Sequence, residues 1–362
     1  IHNGTTGSNA VPTELSGDIA EPLTVRNASV ELQGTLTLGT MDVGGSVVRH
    51  EGAVTLGELA LSGQSTWINN GTLTIHDGYT VQNSTWINNG NFHPPTTDLV
   101  VDGYTYVINN TQTWATVQVI NGGRIVHDLA SGTNVNRMVL NAESVTIDET
   151  SMIDVSGKGC VDSGLGNYVG GSHGGRGGDY RTNPSRPGFG DFREPADYGG
   201  GSMGSYGGGI VKIVAGTLRV DGAIVADGGF ADSGGSAGGS IWLDVGRLEG
   251  DGQIRANGAS TSWTGGGGGG RVAIHYDEVV DFDLAGQAWA QGGAHGWGEN
   301  VEHGGAGTVY LKDKAQALGV LVIHNGTTGS NAAATELSGN IAEPLTVRNA
   351  SVELQGTLTL GT

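Results

Sequence analysis

The sequence predicts an all-β chain: a right-handed parallel β-helix, or β-solenoid, with long Gly-rich loops on one side. Three observations carry that reading. Apolar residues alternate at i, i+2 in short bursts, as in Leu23/Val25, Val30/Leu32 and Leu36/Leu38, the pattern of strands with one buried face. The peptide Ser-Thr-Trp-Ile-Asn-Asn-Gly occurs at 65–71 and again at 84–90, a step of 19 residues. Glycine supplies 68 of the 362 residues while charged residues make up only 15%, which disfavours a helical bundle or coiled coil. The glycines cluster instead of recurring every third residue, so a collagen-like helix is excluded too.

Residues 1–156 form the first segment, with coils of 18–19 residues. The apolar pairs Leu36/Leu38, Val54/Leu56 and Leu73/Ile75 step by 18 and then 19. Three short strands per coil are expected, separated by Asn, Gly and Asp turns. Stacked coils would lie about 4.8 Å apart. Trp67/Trp86, Ile68/Ile87 and Asn69/Asn88 should then form ladders of like side chains.

Residues 157–209 are an irregular insertion rich in Gly and Pro, holding Cys160, His173, Asp179, Pro184, Pro187 and Pro195. Prolines and this much glycine exclude regular ladder pairing. Its length makes it either a region for contact with a neighbouring molecule or a disordered one. Residues 210–322 return to strand logic with coils of about 31 residues. Val211/Ile213, Ile241/Leu243 and Val272/Ile274 each follow a glycine run, and Val309/Leu311 follows after a longer interval. Gly-rich returns such as Gly265–Gly270 are expected to be ordered and packed on one another, because they recur in phase with the strands.

Residues 323–362 repeat residues 1–40. Only Val11/Ala333, Pro12/Ala334 and Asp18/Asn340 differ, at an offset of 322. The chain thus reads as one long repeat plus the start of the next, cut from a longer tandem array. Residues 323–362 should take the conformation of 1–40, one axial step along.

The glycine pair, the Val211/Ile213-type strand, the Ala226-Asp-Gly-Gly turn and the Gly-rich return resemble the glycine-rich β-helical repeat regions of giant secreted bacterial surface proteins, of the adhesin or filamentous-haemagglutinin type. The resemblance covers roughly 140–322. It implies export to the cell surface and a structural or adhesive role, and it carries no catalytic residues.

Seventeen basic against 36 acidic residues give a net charge of −19, which disfavours nucleic-acid binding. No apolar run is long enough to insert into a membrane. A lone Cys160 permits no internal disulfide. No catalytic constellation is found: Arg181-Thr-Asn-Pro184-Ser-Arg186 has residue types of a pectate-lyase-like element in the wrong spacing, and His295-Gly-Trp297 is a fragment of a polygalacturonase-like motif. Carboxylates converging from separate coils would still permit a polysaccharide lyase or hydrolase.

No cofactor is implied beyond Ca²⁺, for which Asp179, Asp227 and Asp232 in glycine-rich loops are the candidate ligands. Trp263, Trp289 and Trp297 are candidates for stacking on a surface glycan, or for closing loops against the coils. Sequons at Asn3, Asn27, Asn70, Asn83 and Asn109 are candidate glycosylation sites. The expected partners are copies of the chain, or adjacent repeats, meeting end to end.

Overall fold

The structure, a computed structural model, describes residues 1–2, 11–131, 135–160, 168–230, 234–296, 300–326, 331–339 and 341–355. These residues form strands and turns with no α-helix among them. The fold is all-β, with several sheets whose strands pair almost entirely in parallel, consistent with a β-solenoid-like architecture. Two compact units emerge, residues 1–126 with 150–152, and residues 127–149 with 153–362.

In the first unit, Thr13–Ser16, Ser29–Gln33, Val47–His50, Thr66–Asn69, Thr85–Asn88, Thr105–Ile108 and Arg124–Val126 make one ladder of short strands in sequence order. Longer strands make a second, in which Thr35–Gly44 pairs with Ala53–Ser62 and that with Thr72–Val81. The expected second and third strands of each coil are therefore fused into one ten-residue strand. The fusion has a corner in it. Buried Leu36 and Leu38 are followed by buried Met41 and Val43, so the apolar spacing jumps from two to three at Gly39; Leu56 and Leu59 do the same around Gly57. A Cβ on Gly57 would lie 2.9 Å from the Gly39 carbonyl oxygen, so the corner closes most easily on glycine.

The side-chain ladders appear in register: Trp67 pairs with Trp86, Ile68 with Ile87 and Asn69 with Asn88. The Trp and Asn residues face inward and are buried. Asn69 donates Nδ2 to Asn88 Oδ1 at 2.6 Å, while its own Oδ1 accepts from the Gly71 amide at 3.1 Å, so both ends of the buried amide are satisfied. Turns leading into the short strands use left-handed residues, Asn27 (φ 51°), Gly45 (58°), Asn83 (45°) and Gly103 (67°), residue types that tolerate that region.

In the second unit the main ladder is Met138–Ile147, Ile210–Val220, Ser240–Glu249, Arg271–Val280 and Thr308–Asp313, with Ile213, Leu243, Ile274 and Leu311 in one row. The Gly-rich returns are ordered as a mesh of extended segments. Gly178 donates to Gly266, Gly268 to Gly171, Gly238 to Gly268 and Gly269 to Gly305, each at 2.8–3.0 Å. The described part of the 157–209 insertion joins this mesh, through Gly170, Gly171, Gly175 and Gly178, without forming a ladder strand. Backbone groups that would otherwise be buried unpaired are satisfied in this way. The mesh is too tight for side chains: a Cβ on Gly268 would fall 2.0 Å from the Gly175 oxygen.

Candidate interaction site at the repeat junction

After Thr308–Asp313 the chain reverses through residues 314–319, and Val320–His324 returns antiparallel, pairing Tyr310 with Leu321 and Val309 with Val322. Val320–His324 then pairs in parallel with Leu345–Arg348. The expected uninterrupted parallel step into the next repeat is corrected here: the hydrogen-bonded sheet continues, but strand direction flips.

The buried side flips with it. Ladder partners share a face, and successive residues alternate faces. Val272, Ile274 and Val309 point into the core of the first repeat. The opposite face carries the row Lys212, Trp242, Ala273, Tyr310, Leu321, Leu345. Preceded by Val139 on Met138–Ile147, this row passes through the cation of Lys212, whose Nζ lies 3.3 Å from the Trp242 ring centre, and is apolar at the junction. Leu321, Ile323, Leu337 and Ile341 pack there with Ala273, Tyr310 and Phe192 of the insertion.

The insertion is held in place by buried polar groups. His173 joins its Nδ1 to the Gly238 oxygen at 2.8 Å, and its carbonyl accepts from the Phe189 amide at 2.7 Å. Arg271, also buried, donates Nε to the Phe189 oxygen and Nη1 to Thr308 Oγ1. Burial lowers the His173 pKa to about 3, with Arg271 adding to the shift; burial lowers Arg271 to about 10, opposed by Asp191 and Asp197. At neutral pH the imidazole is therefore neutral and the guanidinium charged. His275 Nε2 meets the Arg193 carbonyl oxygen at 2.9 Å.

So positioned, the insertion grips the second copy of the opening segment. Arg193 forms a two-point pair with Glu343, Nε to Oε1 at 2.6 Å and Nη2 to Oε2 at 2.8 Å, and the Glu343 side chain is only 3% exposed. Glu336 accepts from the Gly188 amide at 2.8 Å, and Thr335 Oγ1 donates to the Ala306 oxygen at 2.6 Å. Within that copy, Ala334–Ser338 pairs with Ser351–Gln355 in the register of Thr13–Ser16 with Ser29–Gln33, shifted by 322. Asn349 repeats the left-handed φ of Asn27, 48° against 51°.

The residues singled out from sequence lie elsewhere. Trp263 is 66% exposed, whereas Trp289 is half-buried and lines a cavity of about 90 Å³ with Val309, Val322 and His324. Trp297, Asp232 and Asn3 lie outside the described residues. Asp179 is tied to Arg176 at 2.5 Å and accepts from Ser185; burial raises its pKa, but these bonds outweigh it and leave it below the usual value. Asp227 accepts from Arg255 and the Asn257 amide, yet burial dominates and raises its pKa. Among the described residues no three His, Cys, Asp or Glu side chains gather as a metal site.

Asn27, Asn70 and Asn83 are exposed at turns, and Asn109 bonds through Nδ2 to Asn89. Cys160 is free and exposed. A groove of about 300 Å³ lies beside Glu31, Arg49, His50 and Glu51, and burial lowers its His50 to about 4. No helix among the described residues is long and apolar enough to cross a membrane.

Phe192, Arg193, Tyr310, Glu336 and Glu343 were not evident as a site from spacing alone. The drift of the Lys212, Trp242, Ala273, Tyr310 row from cationic to apolar was the available signal. Compared with known proteins, the chain matches no family model, no curated sequence and no solved structure.

Proposed function

We propose that this chain is a non-enzymatic structural repeat of an extracellular fibre or cell-surface stalk, a right-handed β-solenoid in which consecutive repeats are joined through the junction described above. One observation carries the reading. The second copy of the opening segment is seated on the first repeat by an ion pair with a buried carboxylate, an apolar cluster and a continuous sheet. Open strand edges invite uncontrolled pairing, and a repeat that covers its predecessor's edge removes that hazard. The resemblance to secreted surface proteins supports an exported location.

Electron microscopy of the native parent material, with image averaging, tests this. Filaments with a regular period are expected; isolated particles that cleave a polysaccharide would overturn the reading. A second reading, glycan binding, is favoured only by the exposed ring of Trp263. Trp263→Ala would then abolish retention on a glycan array.

A further inference from the structure

The second copy of the opening segment is docked, and the first copy is not. Leu337 and Ile341 are buried in the junction, and Glu343 with them, while Leu15 and Ile19 are half-exposed and Glu14 and Glu21 are exposed. These are the same residue types in matching local conformation, since the two copies share register and strand spans, except that Ala334–Ser338 begins one position earlier than Thr13–Ser16. The first copy therefore presents, uncovered, the side chains that meet the insertion in the second copy, without the counterpart of residues 320–322 that pairs there with residues 309–311.

We infer that residues 11–33 form a docking surface for a second copy of this chain, with Glu21 pairing with the partner's Arg193, Glu14 accepting from the partner's Gly188 amide, and Leu15 and Ile19 entering the partner's cluster around Phe192 and Tyr310. The inference rests on the self-association reading above and names its surface. In the intact chain the receptor is filled by the chain's own residues 331–339 and 341–355, so docking between molecules requires that segment to leave. Two of the three sequence differences fall at this contact. Ala333 is buried, with its amide donating to the His303 oxygen, and Ala334 accepts from the Arg176 amide. Val11 and Pro12 retain the donor and the acceptor, respectively, but add bulk; Val11 is 90% exposed in the undocked copy. The internal copy is thus the better fit, which favours the closed state within one chain.

The test uses the full chain. Glu336→Gln, Leu337→Asp, Ile341→Asp and Glu343→Lys together should release the internal copy, seen as new protease cleavage within 331–355. The released chain should associate, with a mass in sedimentation that rises with concentration. Adding Glu14→Gln, Leu15→Asp, Ile19→Asp and Glu21→Lys should return it to a monomer, whereas adding Val11→Ala with Pro12→Ala should tighten the association. Association that survives the first-copy changes would overturn this surface while leaving self-association standing. A released chain that stays monomeric would overturn both. A segment that remains protected would show that these contacts do not seat it, and an association unmoved or weakened by the alanines would show a different docking geometry; either overturns the inference.

Discussion

At the scale of single residues, three buried imidazoles make the fold sensitive to acid. His127 illustrates the chemistry. The Ile210 amide can only donate, so His127 Nε2 must accept it, and the ring proton sits on Nδ1 facing the Asp128 oxygen. Protonating Nε2 would break the first bond. Burial lowers His127 and His50 to about 4 and His173 to about 3, from 6.5. With folded values below unfolded ones, the unfolded chain takes up protons first as pH falls through 6.5. Stability is expected to be unaffected by these groups above that pH, to decline as it drops toward 4, and to level off with respect to them below 3. Urea midpoints measured from pH 7.5 to 3.5 check this; a flat profile between 6.5 and 4.5 contradicts it. Arg193 gives a second prediction at this scale. Arg193→Ala leaves the Glu343 carboxylate buried without its cation, a loss of about 3 kcal/mol for a pair of this kind, reduced here because Arg193 is itself partly exposed. Faster amide exchange confined to 331–355 is the expected readout, and Glu343→Leu should recover part of the loss.

Among the elements, the glycine mesh and the ladders differ in how far sequence reveals them. Period-2 alternation in Leu36/Leu38 and the repeated Trp67/Trp86 and Asn69/Asn88 reveal the strands and their register, because ladder stacking depends on residue type and spacing alone. Fusion of two strands at Gly39 and Gly57 is hidden, because the strand runs on through the corner, marked only by a slip in apolar phase and by a register shift between Leu56 and Glu58 in the pairing with Thr72–Val81. The junction is hidden for another reason. Glu343 and Arg193 meet across 150 residues of chain, and no local pattern announces a pair so distant. The retention of Glu14 as Glu336 is uninformative, since nearly every position in the copies is retained. Order in the insertion follows from glycines that find partners in other loops, such as Gly178 with Gly266. Two substitutions separate mesh glycines from spectator ones. Gly268→Ala, with a neighbouring oxygen 2.0 Å from the new carbon, should cost about 3 kcal/mol or prevent folding. Gly78→Ala, with open space around the new carbon and no positive φ, should leave the thermal midpoint within a degree or so of the parent.

For the whole molecule, the net charge of −19 opposes any encounter between copies. Exposed charges are screened within about 8 Å at physiological ionic strength, whereas a pair with one buried partner, such as Arg193–Glu343, is screened less. Association of released chains is therefore expected to strengthen as sodium chloride rises from 20 to about 300 mM. Weaker association over that range, followed by light scattering, would mean that attractive surface pairs outweigh the net repulsion.

The reversal at residues 314–319 also bears on the order of events as the polypeptide is made. The parallel contacts of the main ladder in the second unit close long loops, Ile213 to Leu243 and Ile274 to Leu311 among them, whereas Leu311 to Val320 closes a short one. Short closures cost less chain entropy and form sooner. In a tandem array of the kind proposed, a nascent second repeat would therefore find its first strand already aligned on a finished sheet before any of its own coils exist. Each completed unit would act as the nucleus for the one being synthesised behind it, and errors of register would be arrested at one boundary instead of spreading along the array.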